Sequence, residues 1–218
     1  MIVVGSIITL ALFLLVGWII STEMFQQRAW RQRVAEGDVA IIAALLQEAL
    51  GAWQRTRPEK GMSANLWAGV QAAQVVAVSA EGVTVSTSAE PEFRNEGNER
   101  VQLTSALDMA TMVAARLADM LLYDVPNLRP GFARVDVYTT FHESGGSPVQ
   151  KPILTTTAER ATADGLAWDA LTAAEILSRF DTVYQRLPSG EGEAIGLPPI
   201  VGTLIADIPA PGGVAGAE

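Results

Sequence analysis

The most apolar stretch of the chain runs from Ile2 to Ile20 and contains no charged residue. As an α-helix it would be roughly 28 Å long, close to the hydrocarbon thickness of a bilayer. The pattern therefore predicts a single transmembrane helix, with residues 1–21 as the anchor. A cleaved signal peptide is the alternative, but no basic residue precedes the run and no small-residue cleavage site follows it.

Residue types that favour the membrane surface flank this run. Trp18 and Trp30 carry side chains of the kind found at bilayer interfaces, and Arg28, Arg31 and Arg33 follow the run. We expect these five residues to lie at the membrane interface. Loops rich in arginine and lysine remain preferentially in the cytoplasm. The three arginines therefore predict a single-pass protein of the cell membrane with a cytoplasmic domain.

Three later segments place apolar residues at helical spacing. Val39–Gln54 follows Asp38, which can cap a helix, and its broad apolar stripe needs cover from the domain's own sheet or from a second copy of the chain. Val101–Tyr123 shows the clearest amphipathic pattern. Ala173–Tyr184 is predicted as a third helix, with Thr172 as its N-cap.

Two pairs of β-rich runs lie between these helices. Gln74–Val78 and Val83–Thr87 are predicted as a first hairpin, and Ala133–Phe141 and Val149–Thr157 as a second. Pro152 lies within the last run, and since a proline cannot donate a ladder hydrogen bond, it predicts an edge position for that strand.

The order of these elements predicts an α+β fold. We expect an N-terminal single transmembrane helix followed by a small antiparallel sheet of about four strands, covered by helices. Residues 22–60 would form a juxtamembrane stalk and amphipathic helix, and residues 61–187 the soluble α+β domain. Within that domain, residues 89–100 are polar and predict an exposed loop. The Pro/Gly-rich residues 188–218 predict a largely disordered or extended tail, except for an apolar stretch at residues 200–205.

The amino-acid composition excludes several kinds of chemistry and partner but does not identify the function. The chain has no cysteine, which excludes disulfides, thiolate nucleophiles and cysteine-ligated metals. Its formal net charge of −9 argues against nucleic acid as a partner. Only Lys60 and Lys151 among the 15 basic residues are lysines, and this bias is typical of a GC-rich bacterial genome.

No motif points to a catalytic or metal site. His142 is the single histidine and follows a predicted strand, where a general base is less expected than a solvated hairpin end. Asp136, Asp164 and Asp169 could meet if the second hairpin and the turn after it converge, but acidic residues do not alternate with glycine as metal-binding loops require. The sequence predicts no catalytic residue, no metal and no cofactor.

Arg160 and Trp168 stand out in the segment between the second hairpin and the last helix. One interpretation is a buried polar clamp, in which Arg160 bonds Asp164, Asp169 or backbone carbonyls and Trp168 plugs the gap between sheet and helix. The other is a partner-binding surface, since tryptophan and arginine are frequent anchors of protein interfaces.

The sequence thus favours a membrane-anchored, non-enzymatic accessory, scaffold or assembly module. Its expected partners are the lipid bilayer and either another protein or further copies of the chain. The alternatives are a membrane-tethered hydrolase that uses Asp136, His142 and Asp169, and an extracytoplasmic ligand-sensing domain with the opposite topology.

Overall fold

The computed structural model describes residues 37–58, 60–97, 99–142 and 146–208 of the 218-residue chain. The predicted anchor Ile2–Ile20 lies outside these residues, as do the five predicted membrane-interface residues and residues 209–218. The predicted interface residues are Trp18, Arg28, Trp30, Arg31 and Arg33. Within the described ranges, no helix combines the length and apolar composition needed to cross a bilayer.

The described residues form an α+β fold in which helices pack on one face of a mixed sheet. The five α-helices are α1 Val39–Arg55, α2 Ala64–Gln71, α3 Ala106–Tyr123, α4 Arg160–Ala163 and α5 Ala173–Leu177. The nine strands are β1 Gln74–Val78, β2 Gly82–Ser88, β3 Glu92–Glu96, β4 Glu99–Thr104, β5 Phe132–Phe141, β6 Val149–Glu159, β7 Asp181–Arg186, β8 Gly192–Glu193 and β9 Thr203–Leu204.

Seven strands form the main sheet, in the order β8-β7-β6-β5-β2-β1-β9, and β3 and β4 form a separate hairpin. Both predicted hairpins are confirmed, because β1 pairs antiparallel with β2 and β5 pairs antiparallel with β6. The prediction of a four-stranded antiparallel sheet is wrong, since the two hairpins join through a parallel pairing of β2 with β5. The long helix α3 lies between these strands in sequence and carries the chain back across the sheet, as parallel neighbours require.

The core lies between the sheet and helices α1, α2 and α3. Along β5 the buried residues Ala133, Val135 and Val137 face the helices, as the predicted alternation required. The predicted N-caps Asp38 and Thr172 are confirmed by side-chain bonds to the first turns of α1 and α5. The apolar stripe of α1 packs on β1 and α2, so the domain covers that stripe itself.

Residues 89–100, predicted as an exposed loop, instead contribute to the hairpin formed by β3 and β4. Both strands are largely exposed, so no burial pattern marked them, and Gly97 supplies the turn with φ +65°. Strand β4 also includes residues 101–104, which were predicted as the first residues of the helix Val101–Tyr123. Helix α3 therefore begins at Ala106, where the Ser105 hydroxyl accepts a hydrogen bond from the Asp108 amide at 3.1 Å.

The helix predicted over Ala173–Tyr184 is too long. Helix α5 ends at Leu177, and the chain then forms β7. The β-favouring residues Thr182, Val183 and Tyr184 pair with β6, and the Thr182 hydroxyl donates to the Leu177 carbonyl at 2.8 Å. The edge position predicted from Pro152 is also wrong, since β6 lies between β5 and β7. Pro152 is tolerated because β7 pairs with β6 only from Leu154 onwards.

Residues 194–202, which we call the strap, cross the outer face of the sheet, the face away from the helices. The Ile195 amide donates to the Pro152 carbonyl at 2.9 Å, and the strap leads into β9, which pairs with β1. The part of the predicted tail from the strap to Leu204 is therefore extended and bonded to the sheet, and a 3-10 helix over Ile205–Asp207 follows it.

Candidate functional site

The two ends of the main sheet, which we call proximal and distal, differ in the residues and elements that lie there. At the proximal end Gly82 pairs with Phe132, and here β2 and β5 begin. At the distal end Ser88 pairs with Tyr138, close to where the two parallel strands finish and where Ser105 caps α3. In open sheets with parallel strands, ligands bind beyond the carboxyl ends of these strands, so the distal end is the first place to look for a site.

A cleft of about 570 Å³ lies at the distal end, between the sheet and the β3–β4 hairpin. Its walls include the apolar side chains of Phe93, Phe141 and Leu187, and Glu90 and His142 also line it. The cavity thus lies where the ends of β2 and β5 meet the β3–β4 hairpin and the turn between β7 and β8. Its walls are apolar and its rim carries charged side chains.

Most polar groups of this cleft are held by neighbouring residues. The Glu90 carboxylate accepts hydrogen bonds from the Thr140 hydroxyl at 2.8 Å and the Thr140 amide at 3.2 Å. The Arg100 guanidinium lies 3.9 Å from the centre of the Phe93 ring. Because Glu90 is fixed by β5 and Arg100 by its own hairpin, the cleft provides a shaped surface more than a set of free catalytic groups.

The residues considered for catalysis do not come together. Asp136 is buried under the strap, His142 is exposed at the distal end, and Asp169 lies in a short 3-10 turn. Within the described residues, no group of three or more histidine, cysteine or acidic side chains could hold a metal ion. Asp164 accepts a hydrogen bond from the Tyr123 hydroxyl at 2.8 Å, so it is not turned towards a cluster with Asp136.

Trp168 is partly buried between helix α3 and the start of β7. Its ring lies edge-on to Tyr123 with centroids 6.1 Å apart and 6.0 Å from the Phe180 ring. Its indole N–H donates to the Ala163 carbonyl at 3.2 Å. These contacts satisfy both the apolar body and the polar atom of the side chain, as the clamp interpretation expects.

Arg160 contacts the Tyr123 ring as Trp168 does, and it also binds two backbone carbonyls. Its Nε donates to the Pro130 carbonyl at 2.9 Å, a terminal nitrogen donates to the Leu122 carbonyl, and the guanidinium lies 5.0 Å from the Tyr123 ring centre. Arg160 therefore binds carbonyls at the C-terminal end of α3, where a cation is favourable. Partner binding by Arg160 and Trp168 remains a prediction.

Tyr123 joins these residues through its ring and its hydroxyl. Burial and the hydrogen bond to the Asp164 carboxylate raise the pKa of Tyr123 to about 12. The phenol thus remains protonated across the physiological range and donates steadily to Asp164.

A buried ion pair lies beneath the strap on the outer face of the sheet. The Arg134 Nε donates to an Asp136 carboxylate oxygen at 2.9 Å, and the Thr155 hydroxyl donates to the same oxygen at 2.5 Å. The two terminal nitrogens of Arg134 donate to the carbonyls of Pro199 and Pro198 at 2.8 and 3.0 Å. Arg134 therefore fixes the strap to the sheet.

Exposed apolar side chains surround the distal cleft. Phe93 in the β3–β4 hairpin and Leu187 in the turn before β8 line the cleft, whereas Val101 and Leu103 in the same hairpin and Val149 at the start of β6 lie near it without lining it. Such a grouping of large apolar side chains is unusual on a surface that only meets water. Sequence reasoning missed this surface because it treated residues 89–100 as an exposed loop and residues 101–104 as the start of a helix.

Comparison with known proteins gives this geometry no precedent. No protein-family model, no curated protein and no solved structure matches the chain.

Proposed function

We propose that the chain is a membrane-anchored, non-enzymatic module that presents the distal end of its α+β domain to a protein partner. The observation that carries the proposal is the pair of exposed apolar side chains that line the distal cleft, Phe93 and Leu187. Aromatic and aliphatic side chains in and around a pocket are typical anchors of protein interfaces.

The position of this surface suits a tethered protein. The described domain begins at Gly37, beside the β1–β2 turn at the proximal end. Strand β5 runs from Phe132 at that end to Phe141 at the distal cleft, and ten residues of strand span about 30 Å. An anchor formed by Ile2–Ile20 would thus hold the proximal end near the bilayer and leave the distal cleft free for a partner.

The topology of the proposal follows from the charges of the stalk. Arg28, Arg31 and Arg33 follow the apolar run, and arginines next to a membrane span favour the cytoplasmic side. We therefore assign the domain to the cytoplasm. A reporter fused after residue 218 that is active only outside the cytoplasm would contradict this assignment.

Two measurements on the full chain test the proposal. The protein is expected to stay in the membrane pellet after carbonate washing, because apolar burial and not charge would hold the anchor. A protein partner purified with the parent is expected to be lost from a Phe93→Ser, Leu187→Ser variant. A matched control is Val183→Ser, Tyr184→Ser, which changes two side chains of similar exposure on β7.

Each outcome has a defined meaning. Loss of the partner from the Phe93, Leu187 variant but not from the β7 variant supports the distal surface. Equal retention by both variants would show that the partner binds elsewhere. Release of the parent protein by carbonate would show that Ile2–Ile20 does not anchor it.

A further inference from the structure

A second group of exposed apolar residues lies near the proximal end. Ile200 and Val201 end the strap and Leu204 lies in β9, and their exposed fractions are 43%, 61% and 41%. We call these three residues the proximal patch. The backbone beside them is fixed, since the carbonyls of Pro198 and Pro199 bind Arg134 and β9 pairs with β1.

The patch lies beside the point where the described chain begins. Gly202 packs so closely on the β1–β2 turn that a Cβ there would come within 2.5 Å of the Val78 carbonyl oxygen and 3.2 Å of the Ser79 Cβ. A Cβ at Gly37 would come within 2.7 Å of the Cβ of Ala80, the next residue of that turn. Both glycines have positive φ, +106° and +78°, so only glycine fits readily at these two contacts.

We propose that the proximal patch inserts into the interfacial layer of the bilayer that anchors the chain. The inference rests on the anchor assigned to Ile2–Ile20 in the proposed function. Residues 21–36 separate that run from Gly37 and would span roughly 24 Å if they were helical. A tether of this length keeps the patch at an effective concentration on the order of millimolar near the membrane, so three apolar side chains suffice for contact.

Charge decides which lipid the patch favours. The acidic residues Glu81 and Asp207 are exposed in the β1–β2 turn and in the segment after Leu204. Apolar burial therefore drives the insertion, and neutral phosphatidylcholine suits it better than an anionic lipid. Insertion at this end orients the domain with its distal cleft away from the membrane.

The cysteine-free sequence allows a direct test in the full chain. A single cysteine is introduced as Val201→Cys, labelled with an environment-sensitive fluorophore, and the protein is reconstituted in phosphatidylcholine vesicles. The label is expected to show blue-shifted emission and several-fold stronger quenching by spin-labelled lipid than by aqueous iodide. The control is Val183→Cys, an exposed position on β7, which is expected to show the opposite preference.

A second variant separates insertion from chance proximity. Ile200→Ser with Leu204→Ser, in the Val201→Cys background, is expected to return the label's emission towards that of the Val183 control. The unlabelled cysteine variants serve to show by carbonate washing that the anchor still holds.

The results distinguish the two proposals. A Val201 label quenched by iodide as strongly as the control, in protein that resists carbonate, overturns the insertion and leaves the anchor intact. A label shielded from both quenchers also overturns it, because protein and not lipid would then cover the patch. Release of the protein by carbonate overturns the anchor, and the insertion falls with it.

Discussion

Replacing Arg134 with methionine removes the guanidinium that joins the strap to the sheet. Among the described residues, the Asp136 carboxylate, 2% exposed, then keeps the Thr155 hydroxyl as its hydrogen-bond donor. Removing one member of a buried ion pair typically costs about 3–5 kcal/mol, because the remaining charge stays buried without compensation. We expect Arg134→Met to lower the free energy of unfolding by that amount, a large share of the roughly 5–15 kcal/mol of a typical domain.

The double variant Arg134→Met, Asp136→Leu isolates the cause. It removes both charges and is expected to recover most of the lost stability, because two apolar side chains can replace a buried ion pair with little penalty. Thermal unfolding followed by tryptophan fluorescence measures the stabilities. In both variants, hydrogen exchange of the strap amides is expected to accelerate, since the bonds to Pro198 and Pro199 are gone.

Two results would refute this reasoning. If the double variant is as unstable as the single one, the cost comes from the freed strap and not from the stranded carboxylate. If strap amides exchange at the parent's rate in both variants, Arg134 does not hold the strap in place.

Three further predictions concern the rest of the domain. A fragment of residues 37–218 is expected to unfold in one cooperative thermal transition, because the core lies within it; a gradual change would place the boundary elsewhere. In that fragment Trp168→Ala is expected to cost about 2 kcal/mol, less than the roughly 3–5 kcal/mol of a fully buried tryptophan, and an unchanged melting temperature would contradict the clamp. Since the pKa of Tyr123 rises from 10.0 to about 12 on folding, its contribution is complete below pH 10 and is lost as the pH rises to 12. The stability gap between the parent and Tyr123→Phe should therefore shrink over that range in urea unfolding, and a constant gap would contradict the raised pKa.

The elements that sequence reasoning placed well are those in which local signals and burial agree. Asp38 and Thr172 cap helices because their short oxygen-bearing side chains reach the first-turn amides. The alternation along β5 is strong because its apolar side faces the helices and its polar side faces away from them. In these segments a single residue pattern defines both the element and the buried face.

The elements that it missed depend on contacts distant in sequence. Asp181–Arg186 continues a helical period, and only pairing with β6 turns it into a strand. The β3–β4 hairpin is exposed on both faces, so it has no hydrophobic alternation to detect. The parallel neighbours β2 and β5 could not be inferred, because two separate hairpins leave open which of their strands meet.

The same limit applied to the candidate site. Asp136 lies on the polar side of strand β5 and His142 follows that strand, but the sequence does not show that the strap buries Asp136 and leaves His142 exposed. The cleft needs Glu90 after β2, Phe93 in the hairpin and Leu187 after β7, which are almost one hundred residues apart at the extremes. No local spacing rule connects such positions.

The covering of the sheet itself argues for binding at its ends. Helices bury one face, and the strap, fixed by Arg134, crosses the other and keeps Asp136 and Thr155 away from solvent. A ligand over the middle of β5 would have to displace packed helices or break the bonds of a buried guanidinium. The apolar side chains of the distal cleft and of the proximal patch lie instead towards the two ends of the sheet. Two such surfaces at opposite ends of the sheet would suit the proposed module between a membrane and a protein partner, because each could be occupied without disturbing the other.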